Sequence, residues 1–227
     1  MLNNLLKSKN KPHAIIFNVS QLTDIDSIIN EYAISIVCDG LNSEDTKKYT
    51  EKILNNQYFD IIKINGFDEG IKKEDILNIQ NNFSLTGFEE INKKIYVIYG
   101  IEYITTQAAN SLLKFLEEPP INTYAVFVTK SPNAILETIK SRCQFFNLKP
   151  SLKKYEEIAN LYKINGEIEQ AVAQTYFSIN KLVEDLQSKK FNEDVEIVKS
   201  LISASKEKIT SKEDLENFKE LNYPKID

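Results

Sequence analysis

The sequence predicts an α/β fold in which helices cover both faces of a parallel β-sheet, followed by a small all-helical unit. Continuous apolar runs that suit buried strands recur along the chain: AIIFNV at 14–19, DIIKI at 60–64, KIYVIY at 94–99, YAVFVT at 124–129 and FFNL at 145–148. Amphipathic patterns separate these runs, which is typical of a parallel sheet buried on both faces. No strand-like run follows Leu148, so the rest of the chain is expected to be helical.

Apolar residues spaced three and four positions apart predict the helices between these strands. In the α/β part the predicted helices cover residues 24–37, 43–55, 73–83, 105–120 and 131–140. Thr23 is expected to cap the first of them, and Thr105 or Thr106 the fourth, which a Pro-Pro pair stops. Past residue 150 the helical pattern covers 151–163, 168–177 and 180–187.

The change from alternating strands and helices to helices alone predicts a domain boundary near residue 150. Residues 1–149 are expected to form the α/β core domain, and residues 150–189 a small helical lid domain. Residues 190–227, which are rich in lysine and glutamate, are expected to form a helical tail.

The composition excludes several classes of protein. With 42% hydrophobic and 27% charged residues, the chain has the balance of a globular protein. It has no apolar run of about 18 residues and no signal-peptide core at its start, so we expect a cytoplasmic location and no membrane contact. The net charge of −5 argues against unspecific affinity for nucleic acid. Cys38 and Cys143 have neither the number nor the spacing for a zinc site, so both are expected to be free thiols.

Arg142 is the only arginine among the 28 lysine and arginine residues of the chain. Lysine supplies charge equally well on a solvated surface, but only arginine offers a planar, permanently charged fork that matches carboxylate or phosphate oxygens. Its octapeptide, IKSRCQFF at 139–146, follows a short predicted helix and precedes the last strand, where loops commonly reach the surface. One interpretation is an internal salt bridge to Glu117 or Glu118, at the negative end of their helix. The other is a contact with a partner.

Two longer segments resemble a known family. The runs QAANSLLKFLEEPP at 107–120 and FVTKSPNAILETIKSRCQFF at 127–146 resemble the AAA+ clamp-loader subunits of bacterial DNA polymerase III, and most of all the delta-prime members of that family. KPHAIIF at 11–17 and FDIIKIN at 59–65 fit the family's earlier strands, so the resemblance covers roughly residues 11–187. It implies a RecA-like AAA+ sheet followed by a helical lid.

The residues that would hold ATP in this family are missing. A phosphate-binding loop of the form GxxxxGK[ST] must follow the first strand, but here the segment NVSQLTDID at 18–26 has neither glycine nor lysine. Asp24 and Asp26 would repel a phosphate. ATP-binding members also carry Asp-Glu at the end of the third strand for magnesium, where this chain has Tyr99 and Gly100, with Glu102 two residues too late. We therefore expect no nucleotide cofactor, no metal and no intrinsic ATPase activity.

Arg142 has a role in trans if the resemblance holds. In the clamp-loader family the arginine of a Ser-Arg-Cys motif enters the ATP site of the adjacent subunit, and Ser141, Arg142 and Cys143 match that motif position for position. The resemblance thus implies that Arg142 is an arginine finger. Thr129 occupies the family's sensor position at a strand end, but without nucleotide its hydroxyl is expected to bond the local backbone.

The resemblance also implies partners. They are the gamma/tau ATPase subunits and the delta subunit, with the sliding clamp and primer-template DNA reached through the assembled complex. The implied function is that of a non-ATP-binding delta-prime subunit that supports loading of the sliding clamp during replication. Residues 190–227 would then begin a truncated or reduced collar domain. Two interpretations stay open beside it: a clamp-loader subunit with residual ATP binding, and a degenerate AAA+ scaffold outside replication.

Overall fold

The computed structural model describes residues 2–84, 88–162 and 178–188, together with residues 164, 172 and 176. Its sheet has five strands, each within one residue of its predicted bounds: β1 Ala14–Asn18, β2 Ile61–Asn65, β3 Lys94–Tyr99, β4 Thr123–Thr129 and β5 Gln144–Asn147. All neighbours are parallel, in the order β2-β3-β4-β1-β5. The predicted RecA-like parallel sheet is therefore confirmed.

The helices follow the predicted periodicity with two additions. They are α1 Leu2–Lys7, α2 Ile25–Val37, α3 Ser43–Leu54, α4 Gly66–Glu69, α5 Lys73–Ser84, α6 Thr106–Glu117, α7 Glu137–Lys140, α8 Leu152–Leu161 and α9 Ile179–Gln187. The short helices α1 and α4 were not predicted. The helix expected over 131–140 is instead a 3-10 turn, Pro132–Ala134, followed by α7, because Ile135 is extended and Leu136 is not helical. The helix expected over 168–177 and the tail lie almost entirely outside the described residues.

The two predicted helix caps have different outcomes. Thr105 caps α6, since its Oγ1 accepts a hydrogen bond from the Ala108 N–H at 3.3 Å. The prediction that Thr23 caps α2 is wrong, because Thr23 is fully buried and its hydroxyl donates to the Ser20 carbonyl instead. The side chain at the cap position, Asp24, makes no capping bond.

Alternate residues of the three inner strands, β1, β3 and β4, enter two separate cores. On β4, Val126 and Val128 pack toward α2 and α3, whereas Ala125 and Phe127 pack toward α5 and α6. This period of two is what the pleat of a strand imposes, and both faces are apolar because helices cover both. Because β1, β3 and β4 are parallel, their carboxyl ends meet at one edge of the sheet, where α/β proteins commonly bind ligands.

The chain divides into two compact units, residues 1–180 and 181–227. The first contains the whole sheet and α8. Of the second, only residues 181–188 are described. The boundary predicted near residue 150 lies inside the first unit, where the sheet ends, and stays a prediction about domain organisation. No helix within the described ranges is long and apolar enough to cross a bilayer.

Candidate functional site

The loop that follows β1 uses its backbone N–H groups within the chain itself. The Val19 N–H donates to the Thr129 carbonyl at 2.9 Å, and the Leu22 N–H donates to the Tyr176 carbonyl at 2.9 Å. Leu22 is buried and has a left-handed backbone with φ of +57°. A phosphate-binding loop needs such N–H groups free and pointing at the anion. Here two of them are already satisfied by the protein's own carbonyls.

Asp24, at the end of this loop, is tied to the helix that follows the sheet. Its N–H donates to Ser151 Oγ at 3.3 Å, and its Oδ2 accepts a hydrogen bond from Lys154 Nζ at 2.6 Å. The Asp24 side chain is only 12% exposed, so the carboxylate depends on this ammonium for its charge compensation. A lysine 130 residues away in sequence thus holds the start of α8 against the loop after β1.

A second carboxylate beside the loop, Asp26, is bonded by two neutral donors. Tyr99 at the end of β3 donates its hydroxyl to Asp26 Oδ1 at 2.6 Å, and Asn180 Nδ2 donates to Oδ2 at 3.0 Å. Burial, with the neighbouring Asp26 carboxylate, raises the pKa of Tyr99, so its hydroxyl stays protonated and donates. The end of β3 therefore carries a tyrosine that is bonded to an acid of the same chain.

The other two residues considered for nucleotide chemistry have structural bonds. Glu102 Oε1 accepts the Lys130 N–H at 2.9 Å, which fixes the turn after β4. Thr129 is fully buried, and its Oγ1 accepts the Ser131 N–H at 3.1 Å. The expectation that the Thr129 hydroxyl bonds the local backbone is confirmed.

The Lys154–Asp24 bond allows a direct test of how much the contact between α8 and the loop after β1 contributes to stability. We expect Lys154→Ala to lower the free energy of unfolding by about 1–3 kcal/mol, because it leaves a mostly buried carboxylate without its partner. Lys153→Ala removes the same charge at an exposed neighbour and should stay within about 0.5 kcal/mol of the parent. Urea denaturation followed by circular dichroism measures both. Equal losses in the two variants would contradict a specific role of the bond.

Arg142 lies just past the C-terminus of α7, and its guanidinium is bonded at both ends. Nε and Nη2 donate to Glu117 Oε1 at 3.1 and 2.5 Å. Nη1 donates to the Thr138 carbonyl at 2.9 Å and to Ser141 Oγ at 3.3 Å. The internal salt bridge left open by the sequence is thus present, with Glu117 as the acid. Both side chains stay accessible, 36% for Arg142 and 52% for Glu117, so the pair is worth about 0–1 kcal/mol.

The two neighbours of Arg142 support its turn. Ser141 donates its hydroxyl to the Thr138 carbonyl at 3.2 Å while its Oγ accepts from the guanidinium. Cys143 packs against the core on the α5 and α6 side, and burial raises the pKa of its thiol to about 12. The thiol is protonated at neutral pH and serves as packing. Cys38 and Cys143 are both free, as predicted.

Sequence reasoning missed the partners of the two loop acids. In the sequence, Tyr99 stands out only because it occupies a position where an acid was expected. No local signal marks Lys154 or Asn180 as partners of Asp24 or Asp26. The one usable signal was the pair of acids itself, since carboxylates that become buried need a donor or a cation.

The α/β part of the chain matches a known family, and the chain is similar to several known proteins. The sequence model for the family described as DNA polymerase III, delta subunit, matches residues 1–151. An uncharacterized protein of Mycoplasma pneumoniae is 29% identical over 218 residues, which is 94% of this chain and 81% of that protein. DNA polymerase III subunit delta-prime of Bacillus subtilis is 50% identical over 80 residues, covering 35% of this chain and 24% of the relative. The chain therefore aligns with only about a quarter of that relative.

Among solved structures, a DNA polymerase III gamma subunit-related protein from Thermotoga maritima is similar in fold. Its TM-score is 0.59 at 21% sequence identity, and the match covers 93% of this chain and 67% of that one. At this identity the likeness concerns the fold alone.

Proposed function

The chain belongs to the DNA polymerase III delta-subunit family, and from that membership we propose that it is a clamp-loader subunit that binds no nucleotide itself and lends Arg142 to a neighbouring subunit's ATP site. The observation that carries the proposal is a solvent-accessible guanidinium in a Ser-Arg-Cys turn, on a chain in which two N–H groups of the loop after β1 already bond protein carbonyls. As a delta-prime subunit it would support loading of the sliding clamp onto primed DNA.

The proposal that the chain binds no ATP rests on the loop after β1. Two of the loop's N–H groups already have protein acceptors, and the nearby carboxylates Asp24 and Asp26 carry negative charge where the phosphates would lie. A phosphate brought there would have to displace these bonds, and it would meet the like charge of Asp26, whose partners Tyr99 and Asn180 are neutral donors. Without a glycine in the segment, the backbone cannot approach a phosphate in the usual way.

The proposal that Arg142 acts in trans rests on its chemistry and accessibility. The fork reaches solvent at the end of a one-turn helix, and the exposed bond that holds it is weak enough to be exchanged for a phosphate. A guanidinium that meets the charge developing on the transferred phosphoryl group stabilises the transition state strongly. The site would thus be completed by two chains: the neighbour provides the nucleotide and this chain provides the cation.

The partners that fit this function are the gamma/tau ATPase subunits and the delta subunit, with the sliding clamp and primer-template DNA engaged through the complex. This role implies a cytoplasmic location, where replication takes place in bacteria. Gel filtration of the chain with gamma/tau and delta subunits tests the assembly. A stable complex is the expected result, and failure to assemble would favour a degenerate scaffold outside replication.

Calorimetric titration of the isolated chain with ATP and magnesium tests the proposal that this chain binds no nucleotide. We expect no binding heat up to millimolar ATP, because two of the loop's N–H donors are already bonded and the segment has no glycine. A gamma/tau subunit titrated under the same conditions is the positive control. Micromolar affinity in this chain would identify it instead as an ATP-binding clamp-loader subunit.

A further inference from the structure

The guanidinium of Arg142 has two edges, and Glu117 occupies one of them. Nε and Nη2 both point at Glu117 Oε1, at 3.1 and 2.5 Å. Nη1 points the other way, to the Thr138 carbonyl and Ser141 Oγ. The Nε–Nη2 edge is one of those that arginine uses for two-fold bonding to carboxylate or phosphate oxygens. A phosphate that took this edge would have to displace Glu117.

Glu117 itself is in an unfavourable place when it stands alone. It is the last residue of α6, so its carboxylate lies near the negative end of the helix dipole and near carbonyl groups without helical partners. Arg142 supplies the countercharge there. Moving Arg142 away would leave Glu117 exposed to this repulsion, which adds to the cost of extending the guanidinium toward a partner.

Glu118 differs from Glu117 in a way that the sequence does not reveal. It is the next residue and equally an acid at the end of α6, but the carboxylate that meets Arg142 is that of Glu117 alone. The pairing is therefore a matter of where each side chain points, and not only of average negative charge at this helix end. This gives a neighbouring residue of the same chemistry as a control.

From this geometry we infer that Glu117 is a latch that holds Arg142 back and competes with the neighbouring subunit's nucleotide phosphate for the same edge of the guanidinium. This inference rests on the proposed function of Arg142. In the latched state the finger is folded onto its own chain, and in the engaged state it is transferred to the phosphate. Glu117 is a positioning residue, because it acts through Arg142 and not on the nucleotide.

The latch is weak because the Glu117–Arg142 ion pair is partly exposed to solvent. An exposed ion pair of this kind shifts an equilibrium by about 1.5- to 5-fold. Removing the carboxylate should therefore raise the fraction of extended fingers, and with it the unstimulated hydrolysis at the neighbouring site, by about that factor. In a loader engaged with primer-template DNA we expect the finger to be already in the neighbouring site, so the same change should have no effect there.

The test is ATP hydrolysis by a reconstituted clamp loader carrying Glu117→Gln, Glu118→Gln or Arg142→Ala in this subunit, and the double variant Glu117→Gln/Arg142→Ala. Rates are measured with and without primer-template DNA, and thermal unfolding of each subunit checks that it is folded. Glu117→Gln is expected to raise only the rate without DNA, by about 1.5- to 5-fold. Glu118→Gln should match the parent, and the double variant should match Arg142→Ala.

The possible outcomes separate the latch from the proposed function. If Arg142→Ala lowers hydrolysis but Glu117→Gln leaves the rate without DNA unchanged or lowers it, the latch is overturned and the finger stands. If both glutamine variants raise the rate equally, general charge and not the pairing is responsible, which also overturns the latch. If Arg142→Ala has no effect in an assembled loader, the finger itself is overturned and the latch with it.

Discussion

Arg142→Ala is expected to slow ATP hydrolysis at the neighbouring subunit's site by about 10³-fold or more in a reconstituted clamp loader, which is the range measured for arginine fingers in other nucleotide hydrolases. In the proposed role the guanidinium stabilises charge that develops only in the transition state, so its loss should lower the rate more than nucleotide binding. The subunit itself should remain folded, because the bond to Glu117 that is lost is an exposed one.

The measurement needs a loader in which only the neighbouring subunit hydrolyses ATP, since other sites would mask the effect. Arg142→Lys is the matched control for charge: it keeps the cation but lacks the planar fork, and we expect it to behave more like alanine than like arginine. Gel filtration establishes that each variant still assembles. Hydrolysis within twofold of the parent in an assembled Arg142→Ala loader would show that this chain supplies no finger.

Phe127→Ala is expected to lower the free energy of unfolding by about 3–5 kcal/mol, the largest effect on stability that we predict. Phe127 lies on β4, the middle strand of the sheet, is fully buried, and packs against Tyr96 with ring centroids 6.0 Å apart. Truncation would leave a cavity between the sheet and α5 and α6, which a central strand cannot close by moving. The cavity is also expected to loosen the Arg142 turn, because Cys143 of that turn packs on the same core as Phe127.

Urea denaturation compares this variant with Phe88→Ala, in which the same side chain is removed from a position that is 76% exposed. The control should change the free energy of unfolding by no more than about 0.5 kcal/mol. Its backbone N–H bond to Asp60 does not depend on the side chain. Similar losses in both variants would mean that Phe127 does not lie in a packed core.

The strands were predictable because their signal is local. KIYVIY reads as a buried strand whatever surrounds it, and the observed β3 has those bounds. The cap of α6 was local as well, since Thr105 and the Ala108 N–H are three residues apart. Thr23 looked equally suitable, but its hydroxyl bonds Ser20 in a buried loop, and packing of that loop decided the outcome. The propensity of a threonine to cap a helix is overridden where its hydroxyl finds another backbone acceptor nearby.

The site shows the same division at longer range. That this chain lacks a glycine-rich loop and keeps one guanidinium could be read from residue identities alone. Which groups bond the two acids beside the loop after β1 could not be predicted, because Lys154 and Asn180 are 130 and 154 residues from the acids that they bond. The choice between Glu117 and Glu118 could not be made from the sequence either, because both are acids at the end of α6 and only the position of the Arg142 turn selects one.

By itself, the sequence determined the strands and most of the helices, the lack of a glycine-rich motif after β1, and the Ser-Arg-Cys segment that carries the only arginine. These are properties of residue type and short spacing, which side-chain periodicity and backbone chemistry convert directly into structure. Only the tertiary structure decided that the loop after β1 is closed by its own chain and that Glu117 holds Arg142. Both depend on how the sheet brings distant segments to one place, and a hydrogen bond between them forms only when packing has already set the distance.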